Sequence, residues 1–433
     1  MSLIKLKEKI IKTIEENQNE IKRLGNEILK NPEMGYCEFK TSGLIKNKFD
    51  ELDISYNDSL AITGIKAKLF GRKHKFNVCI ICEMDAIKCP GNENADSENI
   101  AHACGHNAQC AMMLGCAIAF SKSGVMNELD GDITFMAVPA EEFVEIEFRR
   151  KLKEDGKIKY FGGKQQLIYE GAFDDVDMAI MVHALGNCED KILHSRAGNL
   201  GFVEKYITFK GKAAHGSIPF DGVNALNAAC LSILGIHSNR ETFSEEEKIR
   251  IHPIITKGGD VVNSVPSEVC IDTYVRGATL KAIQKGSLSV DRAVYGAAQM
   301  VGADADIEDI PGYLPRNDSL ELSEIFEENA RLFIEEKNIR YDVDSVGSSD
   351  IGDLSHLIPT IQPSFGGFCG GLHSKEFKVA DEFIAYILPT EFIATTVCEL
   401  LYNDCEKAEY VKNSFNSLMN KNEYINYLNK KEV

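Results

Sequence analysis

Three short apolar runs, residues 76–82, 133–138 and 178–182, each end on side chains able to bind a metal or carry a proton: Glu83-Met84-Asp85, Pro139-Ala140-Glu141-Glu142 and His183. Unbroken apolar runs of this length fit strands covered on both faces of a parallel sheet. Helically patterned stretches, residues 108–120 and 163–170, lie between them. That alternation predicts an α/β fold, a doubly wound domain with a mainly parallel sheet. In such sheets ligands bind beyond the carboxyl ends of the strands, where all three polar groups fall. An amphipathic helix is predicted ahead of them over residues 3–29, from Leu6, Ile10, Ile14, Ile21, Leu24 and Ile28, with Asn31-Pro32 stopping it.

Past His194 the texture changes. Strands are predicted at residues 203–209, 249–256, 268–276 and 304–310, with helices at 225–237 and 280–300. That β-α-β-β-α-β order is the ferredoxin-like pattern. Residues 196–311 are therefore expected to form an inserted α+β domain, and residues 1–195 and 312–433 a discontinuous first domain. A helix near residues 392–402 closes that domain, and the Asn/Lys-rich tail from Asn413 reads as a peripheral helix.

A formal net charge of −18 disfavours nucleic acid and anionic membrane surfaces as partners. No apolar run is read as a membrane span, and the start lacks a secretory pattern, so the expected location is cytoplasmic. Thirteen cysteines, an odd number scattered among apolar residues, fit reduced thiols rather than a disulfide framework.

Cys104 is the exception among them. His102-Ala103-Cys104-Gly105-His106 sets two imidazoles and a thiol within five residues. Sulfur and imidazole suit zinc, and the Glu141-Glu142 pair adds carboxylates that complete a shell or move protons. The intervening glutamate of HExxH is missing, so a zincin helix is excluded. The Gly-rich segment 366–373 has no following GK[ST], which excludes a phosphate loop and leaves a flexible approach to His373.

Taken together, Asn31-Pro32-Glu33-Met34-Gly35-Tyr36-Cys37-Glu38-Phe39-Lys40-Thr41-Ser42, Glu83-Met84-Asp85-Ala86, His102-Ala103-Cys104-Gly105-His106-Asn107, Pro139-Ala140-Glu141-Glu142, Lys212-Ala213-Ala214-His215-Gly216 and Asn224-Ala225-Leu226 resemble the metal-dependent amidohydrolases that include aminoacylases, hippurate hydrolase and auxin-conjugate hydrolases. Asn107 and the stretch Ser348-Ser349-Asp350-Ile351-Gly352-Asp353-Leu354-Ser355 resemble the aminobenzoyl-glutamate hydrolase branch. The resemblance implies a catalytic domain of the di-zinc peptidase type with a lid domain that also dimerises. It implies a metal shell of Cys104, His106, Glu142, His183 and His373 around two divalent ions, with Cys104 bridging. Zinc or manganese fits best, and cobalt or nickel is possible. Glu141 falls on the general base, Asp85 on the acid that orients a ligand imidazole, and Glu83 on the place of a histidine ligand in related peptidases.

In the inserted domain the resemblance assigns His215 to oxyanion stabilisation, and Asn263 and Arg276 to the substrate carboxylate, which a guanidinium fork matches bidentately. The chain departs from the pattern in a charged insertion at residues 143–161, which is expected to influence substrate choice. The implied activity is hydrolysis of the amide bond of N-acyl or N-aroyl amino acids. A dipeptidase or carboxypeptidase acting on short peptides is the alternative enzyme, and a catalytically silent binding protein the alternative outside enzymes.

Overall fold

Strand Asn77–Glu83 is buried along its whole length and pairs in parallel on both sides, with Asp132–Val138 and Met178–Ile180. These three are the middle of a six-stranded sheet. Thr360–Ile361 extends it in parallel, while Gly64–Leu69 and Tyr56–Leu60 add antiparallel strands at the other edge. The result is an α/β domain with a mixed sheet whose centre is parallel. Register sets Glu83 opposite Val138, so the chain leaves both strands at one level.

The computed structural model describes residues 1–343 and 345–429 and divides them into two units. The first holds residues 1–197, 317–343 and 353–420, and the second 198–316, 345–352 and 421–429. Residues 312–316, 345–352 and 421–429, read from sequence as part of the first domain, group with the second. Residues 344 and 430–433 of the expected 312–433 segment lie outside the described residues.

Helix His106–Ser123 is buried over nearly its whole circumference, as befits a helix apolar all round. It packs on strand Asn77–Glu83 and against helices Leu3–Glu16, Gln18–Leu29 and Leu388–Leu401. The single helix expected over 3–29 is two helices, broken at Asn17, whose Nδ2 donates to the Thr13 carbonyl at 2.7 Å. Ile14 and Ile21 are both buried, and their seven-residue spacing carries the apolar face across the break. Phe383–Leu401, against expectation, is long and apolar enough to cross a membrane, but it is mostly buried within the first unit.

In the second unit, strands Gly201–Lys210, Glu268–Gly277 and Asp304–Pro311 are antiparallel, with Gly201–Lys210 between the other two. The short strands Arg250–Ile251 and Ile254–Lys257 both pair with Glu268–Gly277. Helices Ala225–Ser238 and Leu280–Val301 pack on each other and on this sheet, capped by Asn224 and Thr279. The tail helix Lys421–Leu428 is not peripheral: Tyr424 is fully buried.

Lys205 shares a face with Val203, Ile207 and Phe209 and is fully buried, with Nζ 2.7 Å from both Asp291 and Asp309. Removing one member of a buried charge cluster leaves the others without compensation. Lys205→Met is therefore expected to lower stability by about 3 kcal/mol, read as a lower urea midpoint at unchanged m-value.

Candidate metal centre

Cys104 and His106 are presented by a turn that only glycine accommodates. Gly105 has φ +82°, and a Cβ there would lie 2.5 Å from the Ala184 Cβ. His106 opens the buried helix. Its Nδ1 donates to the Asp85 carbonyl at 2.8 Å and lies 3.1 Å from Asp85 Oδ1, so Nε2 is the nitrogen left to face the cluster. Asp85 Oδ2 accepts the Glu142 backbone N–H at 2.8 Å. His183 Nδ1 donates to the Ala184 carbonyl at 2.9 Å, leaving its Nε2 3.6 Å from Cys104 Sγ. His373 Nε2 lies 3.2 Å from the same sulfur and 3.1 Å from Glu142 Oε1.

These groups form two triads sharing one thiol: Cys104, His106 and His183, and Cys104, Glu142 and His373, with donor atoms inside each triad no more than 4.8 Å apart. Glu141 joins a third group with His106 and Glu83. Donors bound to one ion at about 2.0–2.3 Å with near-tetrahedral angles stand roughly 3.2–3.6 Å apart. The separations above match such edges. His106 Nε2 and Glu142 Oε1 are buried without a well-formed hydrogen bond, so the chain's own donors suit divalent ions.

Electrostatics points the same way. Burial and Glu142 push the Cys104 thiol up, but the imidazoles of His183 and His106 outweigh them and bring it to about 6. Contacts with Cys104 and Glu142 raise His373 to about 11. His106 and His183 are raised too: burial opposes the shift, and Cys104 overcomes it. Protons on these imidazoles stand where a cation's charge fits.

The turn carrying Glu141 and Glu142 is held from two sides. Ala140 sits at φ +54°, an uncommon conformation for a side-chain-bearing residue. Its N–H donates to Glu38 Oε1 at 2.8 Å, and Thr63 Oγ1 donates to the other oxygen at 2.6 Å. Burial and Asp85 push Glu38 up to about 8. From the other side Arg149, fully buried, donates to the carbonyls of Ala140 at 3.3 Å, Phe161 at 2.8 Å and Glu142. The 143–161 insertion thus contains a helix, Ile146–Glu154, that inserts a guanidinium behind the turn. Sequence reasoning missed Glu38 and Arg149 because the groups they hold in this turn are main-chain N–H and C=O groups, which leave no pattern in side-chain identity.

Lys164 and Gln109 were missed as well. Both touch Glu83, a fully buried carboxylate, with Lys164 Nζ 2.6 Å from Oε1 and Gln109 Nε2 2.7 Å from Oε2. Burial would raise Glu83, yet Lys164 and the imidazoles of His106 and His183 hold it down to about 2. Gly163 permits this approach, because a Cβ there would fall 1.6 Å from the Pro139 carbonyl oxygen.

His215, Asn263 and Arg276 lie in the second unit. The fold brings the first two together: His215 bridges to Ser264, and the Asn263 carbonyl accepts the Gly216 N–H at 2.7 Å. His215 is exposed, and its Nδ1 accepts the Ser217 N–H at 3.1 Å. Arg276 packs 5.3 Å from the rings of Phe202 and Tyr274 and donates to Ser348 Oγ at 2.6 Å.

Residues 79–388 match the family described as Peptidase family M20/M25/M40. The chain is 29% identical to the Homo sapiens protein named Xaa-Arg dipeptidase, over 80% of this chain and 74% of that one. It is 25% identical to the Arabidopsis thaliana protein named IAA-amino acid hydrolase ILR1-like 2, over 84% and 82%. Among solved structures, the Bacillus subtilis YXEP protein, titled a dinuclear metal binding peptidase from the M20 family, superposes with TM-score 0.69 at 20% identity, covering 88% of this chain and 98% of that one.

Two expectations follow from the centre. Adding zinc to metal-free protein at pH 7 displaces protons from the raised imidazoles, with less from Cys104, which is already largely thiolate there. Calorimetry in buffers of differing ionisation enthalpy reads this release, and acidification below about pH 6 is expected to weaken binding as protons return to the thiolate. Arg149→Met leaves carbonyls buried without donors and is expected to cost about 2–3 kcal/mol, measured by denaturant titration.

Proposed function

Because this chain belongs to Peptidase family M20/M25/M40 and is a metal-dependent hydrolase of amide or peptide bonds, we propose that its substrates are N-acyl or N-aroyl amino acids of the aminobenzoyl-glutamate kind. One observation carries the reading: two donor triads share Cys104 while Glu141 stands beside them as a further carboxylate. Cys104, His106, Glu142, His183 and His373 would hold two divalent ions, zinc or manganese by donor chemistry, with cobalt or nickel able to substitute. Bound there, the ions supply Lewis acidity toward the scissile carbonyl and acidify water. Glu141 takes the proton of the attacking water and returns it to the leaving amine. Asp85 keeps the His106 ring oriented, which preserves its basicity toward a cation. His215 donates to the developing oxyanion, a contact worth about 3 kcal/mol in other enzymes. Asn263 and Arg276 receive the substrate carboxylate, and Arg276 suits the task because Ser348 occupies only part of its donor fork.

Leu234, Leu288 and Tyr295, exposed on the helices of the second unit, support a homodimer formed through it. The thirteen unpaired thiols support a reducing, cytoplasmic setting. A dipeptidase reading is kept as the second one because the human relative carries that name. A panel of acyl-amino acids against dipeptides, after loading with each divalent ion, separates the two. Glu141→Gln is expected to lower kcat by roughly 10²–10⁴ at unchanged metal content. Equal turnover by wild type and variant would remove Glu141 from the proton path.

A further inference from the structure

Three carbonyls converge on one buried cation. Arg149, in helix Ile146–Glu154, is fully buried, and its guanidinium donates to the carbonyls of Ala140, Glu142 and Phe161. Among the described residues no carboxylate forms an ion pair with it; the rings of Tyr36 and Phe143 lie 5.5 and 6.0 Å from its guanidinium carbon. The fork is centred on one residue. Nη1 takes the carbonyl of Ala140, the residue before Glu141, and Nη2 that of Glu142, the residue after it. The N–H groups of the same two residues go to carboxylates, of Glu38 and Asp85, each at 2.8 Å. Three charged side chains thus hold the main chain on both sides of Glu141, and of the three Arg149 takes the carbonyls. Gly35 makes room for it: a Cβ there would lie 2.8 Å from Arg149 Nη2 and 2.9 Å from the Ala140 Cα. The third bond, to the Phe161 carbonyl at 2.8 Å, ties the end of the 143–161 insertion to its beginning. A carboxylate that takes a proton must stand within hydrogen-bond reach of it, roughly 2.6–3.2 Å. Its side chain is placed no better than the backbone it leaves from.

We propose that Arg149 is a positioning residue for Glu141: by gripping the main chain on both sides it fixes the direction in which that carboxylate leaves the turn, so that the 143–161 insertion acts on turnover from behind the site. This rests on reading Glu141 as the base. A contact with substrate alone would be read in KM, whereas a grip on the base is realised in the proton transfer and is read in kcat.

The full chain loaded with zinc provides the test, with N-(4-aminobenzoyl)-L-glutamate as the probe, or the best dipeptide of the panel where wild type prefers one. Arg149→Met is expected to lower kcat by about 10²-fold, and Arg149→Lys, which keeps the charge but not the fork, by a smaller factor, both with KM and zinc content as in wild type. Lys205→Met, destabilised in the second unit, is the control for lost stability and is expected to keep its kcat. If both Arg149 variants, or the lysine variant alone where the methionine variant misfolds, keep the wild-type kcat or change only KM, the proposal fails while Glu141 remains the base, as loss of turnover in Glu141→Gln would attest. It fails too if the fall in kcat follows a loss of zinc, which would assign Arg149 to the ligand Glu142, or if Lys205→Met falls as far. If wild type hydrolyses neither kind of substrate, or Glu141→Gln turns over as fast as wild type, the reading of Glu141 as the base fails, and the proposal with it.

Discussion

Asp85 ties together two strand exits that would otherwise be independent. One carboxylate faces His106 Nδ1 at 3.1 Å and accepts the Glu142 N–H at 2.8 Å, so the ring from one crossover and the turn from the next are placed by the same group. Because strand Asn77–Glu83 pairs in register with Asp132–Val138, the position of Asp85 is set by the sheet and not by a mobile loop. The remaining donors then need only arrive: His183 from the short strand His183–Ala184, which follows the third parallel strand and pairs with Ser364–Phe365, and His373 from a loop whose His373 N–H donates to the Ala103 carbonyl at 2.8 Å.

The cost of this convergence is buried negative charge. A thiol lowered to about 6 and carboxylates Glu83 and Glu142 held low cannot share a low-dielectric pocket unless positive charge accompanies them. Lys164 supplies one fixed charge; protons on His106, His183 and His373 supply the rest when no ion is bound. On the metal-site reading proposed above, divalent ions would replace those protons, and this exchange would make the thiolate at the shared position useful. Its low proton affinity lets it be a ligand near neutrality.

What the sequence made legible follows from what leaves a periodic trace. The central strands and the helices from Gly163, Ala225 and Leu280 were readable because burial on one or both faces forces a period of 2 or 3.6, or an unbroken run. The residues alone pointed to the segment 102–106, the Glu141-Glu142 pair and His183, chemically rare company in one chain, while the set Cys104, His106, Glu142, His183 and His373 came from the family resemblance. The break at Asn17 was not readable, since Ile14 and Ile21 preserve the face through it. Nor was the work of Arg149 and Glu38, which hold the turn through carbonyls and an N–H. Nothing in the sequence marks Lys164 as buried, and the close approach at Gly163 accompanies its burial.

One further regularity concerns which nitrogen of each imidazole carries the proton. His106 and His183 both donate from Nδ1 to backbone carbonyls, of Asp85 and Ala184, so Nε2 is the nitrogen whose proton each would give up to face a cation. In the second unit the polarity is reversed. The Ser217 N–H, a donor that cannot accept, points at His215 Nδ1, so that nitrogen is the acceptor and Nε2 keeps its hydrogen. An imidazole in that form donates a hydrogen bond without first having to be protonated, which is what stabilising an oxyanion near neutral pH demands. The same side chain is thus set as an electron-pair donor in the cluster and as a hydrogen-bond donor in the second unit. Main-chain groups one or two residues away set it at His183 and His215, and Asp85 sets it at His106.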